Sequence, residues 1–212
     1  MLSITLIIVI ITSIISFTAF SNEKITNDFI FYPPAISRNG QWYRFITCGL
    51  IHAEIFHLFF NMWALYSFGS LVESVFIQIF GVIGKWIYLL MYVTALVASL
   101  LPTYNRHKHD AGYRSLGASG AVSAVMFAGL LLMPDAKIGM FFIPIGIPGF
   151  LFGPLYLLLT AYMDRRGNSG INHSAHLWGA LYGLAFTIVA GYAGGFPVLN
   201  YFVESVQAYF SR

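Results

Sequence analysis

Charge is missing from long stretches of this chain, and that absence decides most of what it can become. Residues 4–20 carry no ionisable side chain. In the further apolar runs 51–72, 82–101, 116–133, 149–163 and 171–193, Glu54 and Lys85 are the only Asp, Glu, Lys or Arg. An apolar run of about 17–25 residues crosses the hydrocarbon core of a bilayer as a helix, which satisfies every backbone N–H and C=O internally. A chain that is 58% hydrophobic and 9% charged cannot cover such runs in water, where a domain carries about 25% charged residues. The expected fold is therefore an all-α membrane protein, a six-transmembrane-helix bundle over residues 1–195. The lipid bilayer is its first partner.

The rest of the composition narrows the function. A net charge of +3, dispersed along the chain, gives no footprint for nucleic acid. Cys48 stands alone, so an internal disulfide and a multi-cysteine metal site are both excluded, and a small packing role is expected. No Lys or Arg precedes the first run, which reads as a retained helix rather than a secretory signal. Residues 21–44 read as a polar and aromatic loop in which Pro33 and Pro34 exclude a regular helix. Pro102 and Pro134 are expected to end the third and fourth runs, and residues 103–114 form the most polar loop. In the tail, residues 196–212, Leu199, Phe202, Val203, Val206, Tyr209 and Phe210 share one helical face, which predicts an amphipathic helix lying in the interface.

Polar groups inside the runs carry the functional signal, because each costs a few kcal/mol at the bilayer centre unless it faces the protein interior or a water-filled cavity. The second run holds His52, Glu54, His57 and Asn61. The fourth opens with Ser119 and Ser123, and the sixth with His173, Ser174 and His176. Alternate spans run in the same direction, so these groups gather at one depth near one membrane face. Gly120, Ala124 and Ala128 in one run, and Ala175, Gly179 and Gly183 in another, form stripes of small residues along which helix backbones approach closely in lipid. Packing of those stripes brings Ser119 beside His176. An imidazole takes the proton of a serine hydroxyl near neutral pH, which makes the serine a nucleophile. His57 and Asn61, about 40° apart on a helix, share a face and supply donors for an oxyanion. The N–H of Ser119, in the first turn of its helix, is another. Gly117, Ala118 and Gly120 leave room for a substrate strand beside Ser119. His52 lies about 140° from His57 on a helical wheel and is expected to play a structural part.

Three motifs in this order resemble the rhomboid intramembrane serine proteases: "HAEIFHLFFN" in the second run, "GASG" opening the fourth and "AHLWGALYG" in the sixth. The resemblance runs from about Trp42 to Ala193. It implies a Ser–His dyad without an acidic third member, no cofactor and no metal, and cleavage of substrate transmembrane segments near the membrane surface. Ser119 would be the nucleophile, His176 the general base, and His57 and Asn61 the oxyanion-hole side chains, with His52 in support. Arg44 fits the Arg of the family's Trp–Arg pair, although Tyr43 stands where Trp is usual. Glu73, followed by Gly81, fits a structural Glu of the family. Many rhomboids carry Tyr four residues after the nucleophile, packed on the histidine ring, whereas this chain has Ser123. The expected partners are membrane proteins with a single span loosened by Gly, Pro or polar residues and a small residue at the cut. The oligomeric state is not written in the sequence.

Other chemistries fit less well. The histidines of "HAEIFH" are five apart, whereas the zinc motif HExxH places them four apart on one face. An aspartyl protease needs two acidic residues within spans, and only Glu54 lies near one. A transporter would favour an internal repeat, which is absent. A rhomboid-like protein that binds transmembrane helices without cutting them is the alternative, distinguished by loss of Ser or His; both are present. Lys24, Arg38, Arg44, Arg106, Lys108, Arg114, Arg165 and Arg166 fall on the active-site face, against Lys85, Lys137 and Arg212 opposite. By the positive-inside rule the active-site face is cytoplasmic. Bacterial rhomboids instead open outward, and a bacterial inner membrane with that orientation is the expected setting.

Overall fold

The computed structural model describes residues 3–140, 143–167 and 170–211. Its elements follow the chain as α1 (Ile4–Phe20), α2 (Glu23–Phe29), α3 (Pro33–Asn39), α4 (Arg44–Thr47), α5 (Ile55–Phe80) and α6 (Gly84–His107). Next come α7 (Ser119–Leu132), a hairpin of β1 (Lys137–Met140) and β2 (Ile143–Pro148), then α8 (Gly149–Arg166), α9 (His173–Ala193) and α10 (Val198–Phe210). Residues 55–107 and His173–Ala193 are long and apolar enough to cross a membrane, while α1 and α7 are apolar but shorter.

At the centre stands α7, in which every residue from Gly120 to Leu132 except Met126 is buried. A helix apolar on all sides belongs inside a bundle rather than on its surface. Its closest neighbour is α9. A Cβ added to Gly179 would lie 2.8 Å from the carbonyl carbon of Gly120, and one on Gly183 would lie 2.6 Å from Cα of Ala124. The two stripes of small residues thus meet backbone to backbone. A further cluster, containing Leu65, Val72, Phe76, Tyr88, Met91 and Ala95, joins α5 and α6 to the other side of α7.

The first helix is fastened by a charge. Glu73, deep in α5, accepts the Ile4 and Thr5 amides at 2.8 and 2.9 Å and the Thr5 hydroxyl at 2.8 Å. The Tyr88 hydroxyl of α6 lies 3.1 Å from the same hydroxyl. A carboxylate at a helix N-terminus satisfies otherwise unpaired N–H groups and meets the positive end of the helix dipole. One side chain therefore ties α1, α5 and α6 together, as a structural reading of Glu73 requires.

Several boundaries differ from the sequence expectation. Helix α6 does not stop at Pro102 but continues to His107. Proline removes one N–H, and the remaining backbone groups of a packed helix still find partners. Pro33 and Pro34 do not exclude a helix; they start α3 at its first two positions, where a missing N–H costs nothing and a fixed φ is already helical. Residues 21–44 hold two short helices, α2 and α3, and the start of a third, α4, rather than a loop. His52 and Glu54 precede α5 instead of lying on it. Residues 116–118 precede α7 in the same way, so α7 is shorter than its apolar run. The tail is helical as expected, with Leu199, Val203 and Phe210 exposed. Phe202, Val206 and Tyr209 are half-buried, and the Tyr209 ring meets Phe150 at the start of α8.

Replacing Gly179 by Leu should lower stability in detergent by at least about 2–3 kcal/mol, because the added atoms meet the α7 backbone rather than a movable side chain. Gly153→Ala, whose Cβ would stand 3.6 Å from its nearest neighbours, should be neutral or stabilising. Thermal unfolding of the two variants checks the contrast, and equal midpoints would remove the close-approach account.

Candidate active site

The segment leading into α7 is held at every step. Phe31 and Ser115 exchange backbone hydrogen bonds of 3.0 and 3.1 Å, which fixes the loop after α2 to the strand before α7. The Gly117 amide donates to the Cys48 carbonyl at 2.9 Å. Gly117 adopts φ +114°, a conformation that disfavours any residue with a side chain. A Cβ there would also stand 2.8 Å from Cε1 of His57. Glycine at 117 thus serves both the turn and the close approach of an imidazole.

Ser119 is the first residue of α7, so its N–H has no acceptor within the helix. His176 sits in the first turn of α9, whose N-terminus is capped by Asn172. The Asn172 Oδ1 accepts the Ala175 amide and the Thr103 hydroxyl, both at 3.1 Å. This cap fixes α9 to α6 where the helix begins. The outcome is a hydrogen bond of 2.7 Å between Ser119 Oγ and His176 Nε2, across the helix pair whose backbones touch. The edge of His173, one turn earlier, packs on the His176 ring with centroids 5.9 Å apart.

The other sequence-selected residues separate into two groups. His52 supports the loop. The Ser16 hydroxyl donates to the Leu50 carbonyl at 2.9 Å and so receives the Nδ1 hydrogen of His52, also at 2.9 Å. That leaves Nε2 of His52 as acceptor toward the Ala118 amide at 3.5 Å, the long end of such a bond. His57 meets His52 edge to face at 5.0 Å and lies over Gly117. Asn61 is buried one turn deeper, with its amide nitrogen donating to the His57 carbonyl at 2.9 Å. An amide nitrogen carries two hydrogens, so the second remains for another acceptor. Gly120 lies where a Cβ would meet Cβ of Ser99 at 2.7 Å and the Ala175 carbonyl at 3.2 Å, which explains its size.

Arg44 is structural. Its Nη1 donates to the Asn27 and Ile30 carbonyls at 2.8 Å each, and its Nε to Gln41 at 2.6 Å, so the guanidinium binds the loop that Phe31 carries. In the loop after α6, the hydrogen bond from His107 holds the Asp110 carboxyl below its ordinary pKa. Sequence reasoning passed over Ser16 and Tyr156. Ser16 was visible as a hydroxyl in a charge-free run, where a buried polar group must find a partner. Tyr156 donates to or accepts from Ser123 at 3.1 Å, joining α8 to the turn below Ser119, and no motif marks it.

A family model described as Rhomboid domain matches residues 39–193. The chain is similar to RHOMBOID-like protein 12, mitochondrial, of Arabidopsis thaliana, at 31% identity over 152 residues, covering 68% of this chain and 45% of that protein. It is similar to human Presenilin-associated rhomboid-like protein, mitochondrial, at 31% over 138 residues, covering 63% and 34%. It is also similar to "Putative rhomboid protease YdcA" of Bacillus subtilis, at 31% over 143 residues, covering 66% and 63%. The chain thus spans less than half the length of the plant and human relatives. With the family model covering most of the chain and its motifs brought to one place, the chain belongs to the rhomboid family.

Proposed function

We propose that this protein is an intramembrane serine endopeptidase that cuts transmembrane segments of other membrane proteins. The observation that carries the reading is the 2.7 Å contact between Ser119 Oγ and His176 Nε2. That distance lies within reach for proton transfer from a nucleophile to its base. His176 takes the hydroxyl proton as Ser119 Oγ attacks the scissile carbonyl. The oxyanion is met by the Ser119 N–H, the free hydrogen of the Asn61 amide and a ring N–H of His57. His176 then returns the proton to the leaving amine. A water, taking the place of that amine, attacks the acyl group while His176 takes its proton, and His176 returns that proton to Ser119 Oγ as the bond from Oγ to the acyl carbon breaks and the carboxylic acid leaves. A space of about 20 Å³ beside Ser119, lined by polar Ser99, Ser115 and Asn172 among others, has the volume for one water.

The segment 1–195 is read as a six-span bundle and 196–212 as its interfacial tail, with helices α1, α5, α6, α7, α8 and α9 as the spans. We place the active-site face outside a bacterial inner membrane, against the positive-inside count. Arg44 is tied down within its loop, and Arg106 pairs with Asp164 at 3.4 Å. Those two cations serve the fold and carry less weight in setting topology. A reporter fused in the loop after α6 should be active only when it reads the outside. A cytoplasmic signal would reverse the orientation.

A mechanism-based serine-hydrolase probe should label Ser119 in detergent or liposomes, and labelling should survive a chelator. Ser119→Ala should abolish both labelling and cleavage with folding intact. His176→Ala should slow labelling greatly, and Ser123→Ala only slightly. Labelling of Ser119→Ala at the wild-type rate would remove the protease reading and favour a protein that binds transmembrane helices without cutting them.

Asn61→Ala should reduce kcat by up to about 10²–10³ while changing KM little, because its amide acts mainly on charge that appears in the transition state. Unchanged turnover would return Asn61 to a packing role.

A further inference from the structure

Three consecutive residues at the start of α9 hold polar atoms that the protein leaves unsatisfied. Among the described residues, Asn172 Nδ2, His173 Nε2 and Ser174 Oγ are buried without a hydrogen-bond partner. His173 and Ser174 are themselves more than nine-tenths buried, at 8% and 3% exposure. Leaving such groups unpaired destabilises a fold. All three residues line a cleft of about 350 Å³ at the ends of α6 and α8, which Arg106, His107 and Asp164 also line. The cleft is far larger than one water, whose share of liquid volume is about 30 Å³. Of the residues around the small space beside Ser119, only Asn172 reaches it.

The chemistry around the cleft is that of donors. Asn172 Oδ1 is spent on the Ala175 amide and the Thr103 hydroxyl, so what remains is an amide nitrogen, which only donates. The Ser174 N–H lies in the first turn of α9, where it has no acceptor within the helix and the dipole is positive. Arg106 approaches Asp164 at 3.4 and 3.5 Å, longer than the about 2.7–2.9 Å of a full charge-assisted bond, so its guanidinium is not spent there. His107 is occupied by Asp110 at 3.1 Å. Asp164 opposes an anion, and Arg106 offsets its charge.

We propose that this cleft binds a phosphate group, carried by a lipid headgroup or by free phosphate. Donors converge from two elements, Arg106 from α6 and Asn172 to Ser174 from α9. A phosphate presents oxygens in several directions and pairs with a guanidinium through two parallel bonds, whereas a cation would find only the carboxylate that Arg106 already faces. The unpaired atoms lie under the cleft surface, and their side chains turn toward it on binding, as side chains at binding sites commonly do. The cleft sits where three apolar helices end or begin on one face, which is the depth of lipid headgroups. Binding there does not require Ser119 to cut anything.

The test uses the full chain, stripped of lipid in dodecyl maltoside, a detergent without phosphorus. Inorganic phosphate and a short-chain phosphatidic acid are titrated separately by calorimetry, with the matching diacylglycerol as the control that lacks phosphate. Phosphatidic acid should bind saturably and the diacylglycerol should not. Arg106→Gln should weaken binding by about tenfold or more and Ser174→Ala by about threefold, because each removes a donor to a charged group. Arg166→Gln, which removes an exposed cation of α8 outside the cleft, should leave binding unchanged. Phosphatidic acid binding at least about tenfold tighter than inorganic phosphate, or binding alone, assigns a lipid headgroup; equal affinities with mutual displacement assign free phosphate, and either result supports the site. Three results overturn it. Neither probe binds, so that the cleft holds water alone; the diacylglycerol binds as well as phosphatidic acid; or Arg166→Gln costs as much as Arg106→Gln, which marks diffuse attraction to a basic surface. Thermal midpoints without ligand are followed in each variant. Should Ser174→Ala fail to fold, the contrast between the two arginines decides alone, since both are exposed.

Discussion

The contact of α7 with α9 is the constraint on which the rest depends. The Ser119–His176 pair proposed as the catalytic unit spans two helices, so the separation of its atoms is inherited from the separation of α7 and α9. Gly179 and Gly183 against the Gly120 and Ala124 backbone set that separation. In lipid, two helices gain nothing from excluding water and associate through close packing and hydrogen bonds. Glycine at the contact is what permits a backbone approach close enough for Ser119 and His176 to hydrogen-bond at 2.7 Å.

Much of this was legible in the sequence because the residues involved cannot be replaced without cost. A stripe of glycine and alanine in an apolar run marks close packing, and a histidine in such a run needs a reason. Ser119, His176, His57 and Asn61 stood out on those grounds, and the structure brings the first two into contact and sets His57 beside the loop that precedes them. Helix α1 was legible to the residue, since Ser3 and Ser21 bracket a run without charge.

What was not legible shares a cause, namely that distant partners decided it. Pro102 reads as a stop on local grounds, yet Thr103, one residue on, is bound to Asn172, the cap of α9, and Tyr104 packs against Trp42 and Phe45, so tertiary contacts carry the helix through. Pro33 and Pro34 read as breakers because nothing local distinguishes the interior of a helix from its first turn. The Phe31–Ser115 bridge that precedes them sets where α3 begins. His52 read as a span residue because an apolar run does not announce where its helix starts. Its partners Ser16 and Ala118 are far away in sequence.

The polar groups of the apolar runs divide by how completely they are satisfied. Glu73 accepts three hydrogen bonds from α1, and His52 uses both ring nitrogens on Ser16 and Ala118. These groups are spent on architecture, and in lipid an unspent one would be costly. Ser119 has a hydroxyl bound on one side only, toward His176, and an N–H with no place in its helix. Asn61 keeps one amide hydrogen in reserve after bonding to His57. Among the described residues, further buried polar atoms without a partner are Asn61 Oδ1, Thr12 Oγ1 in α1, and Asn172 Nδ2, His173 Nε2 and Ser174 Oγ at the start of α9. On the proposed protease reading, the carbonyl oxygen of a substrate, as it becomes an oxyanion, is the acceptor that the Ser119 N–H and the second Asn61 amide hydrogen lack within the protein.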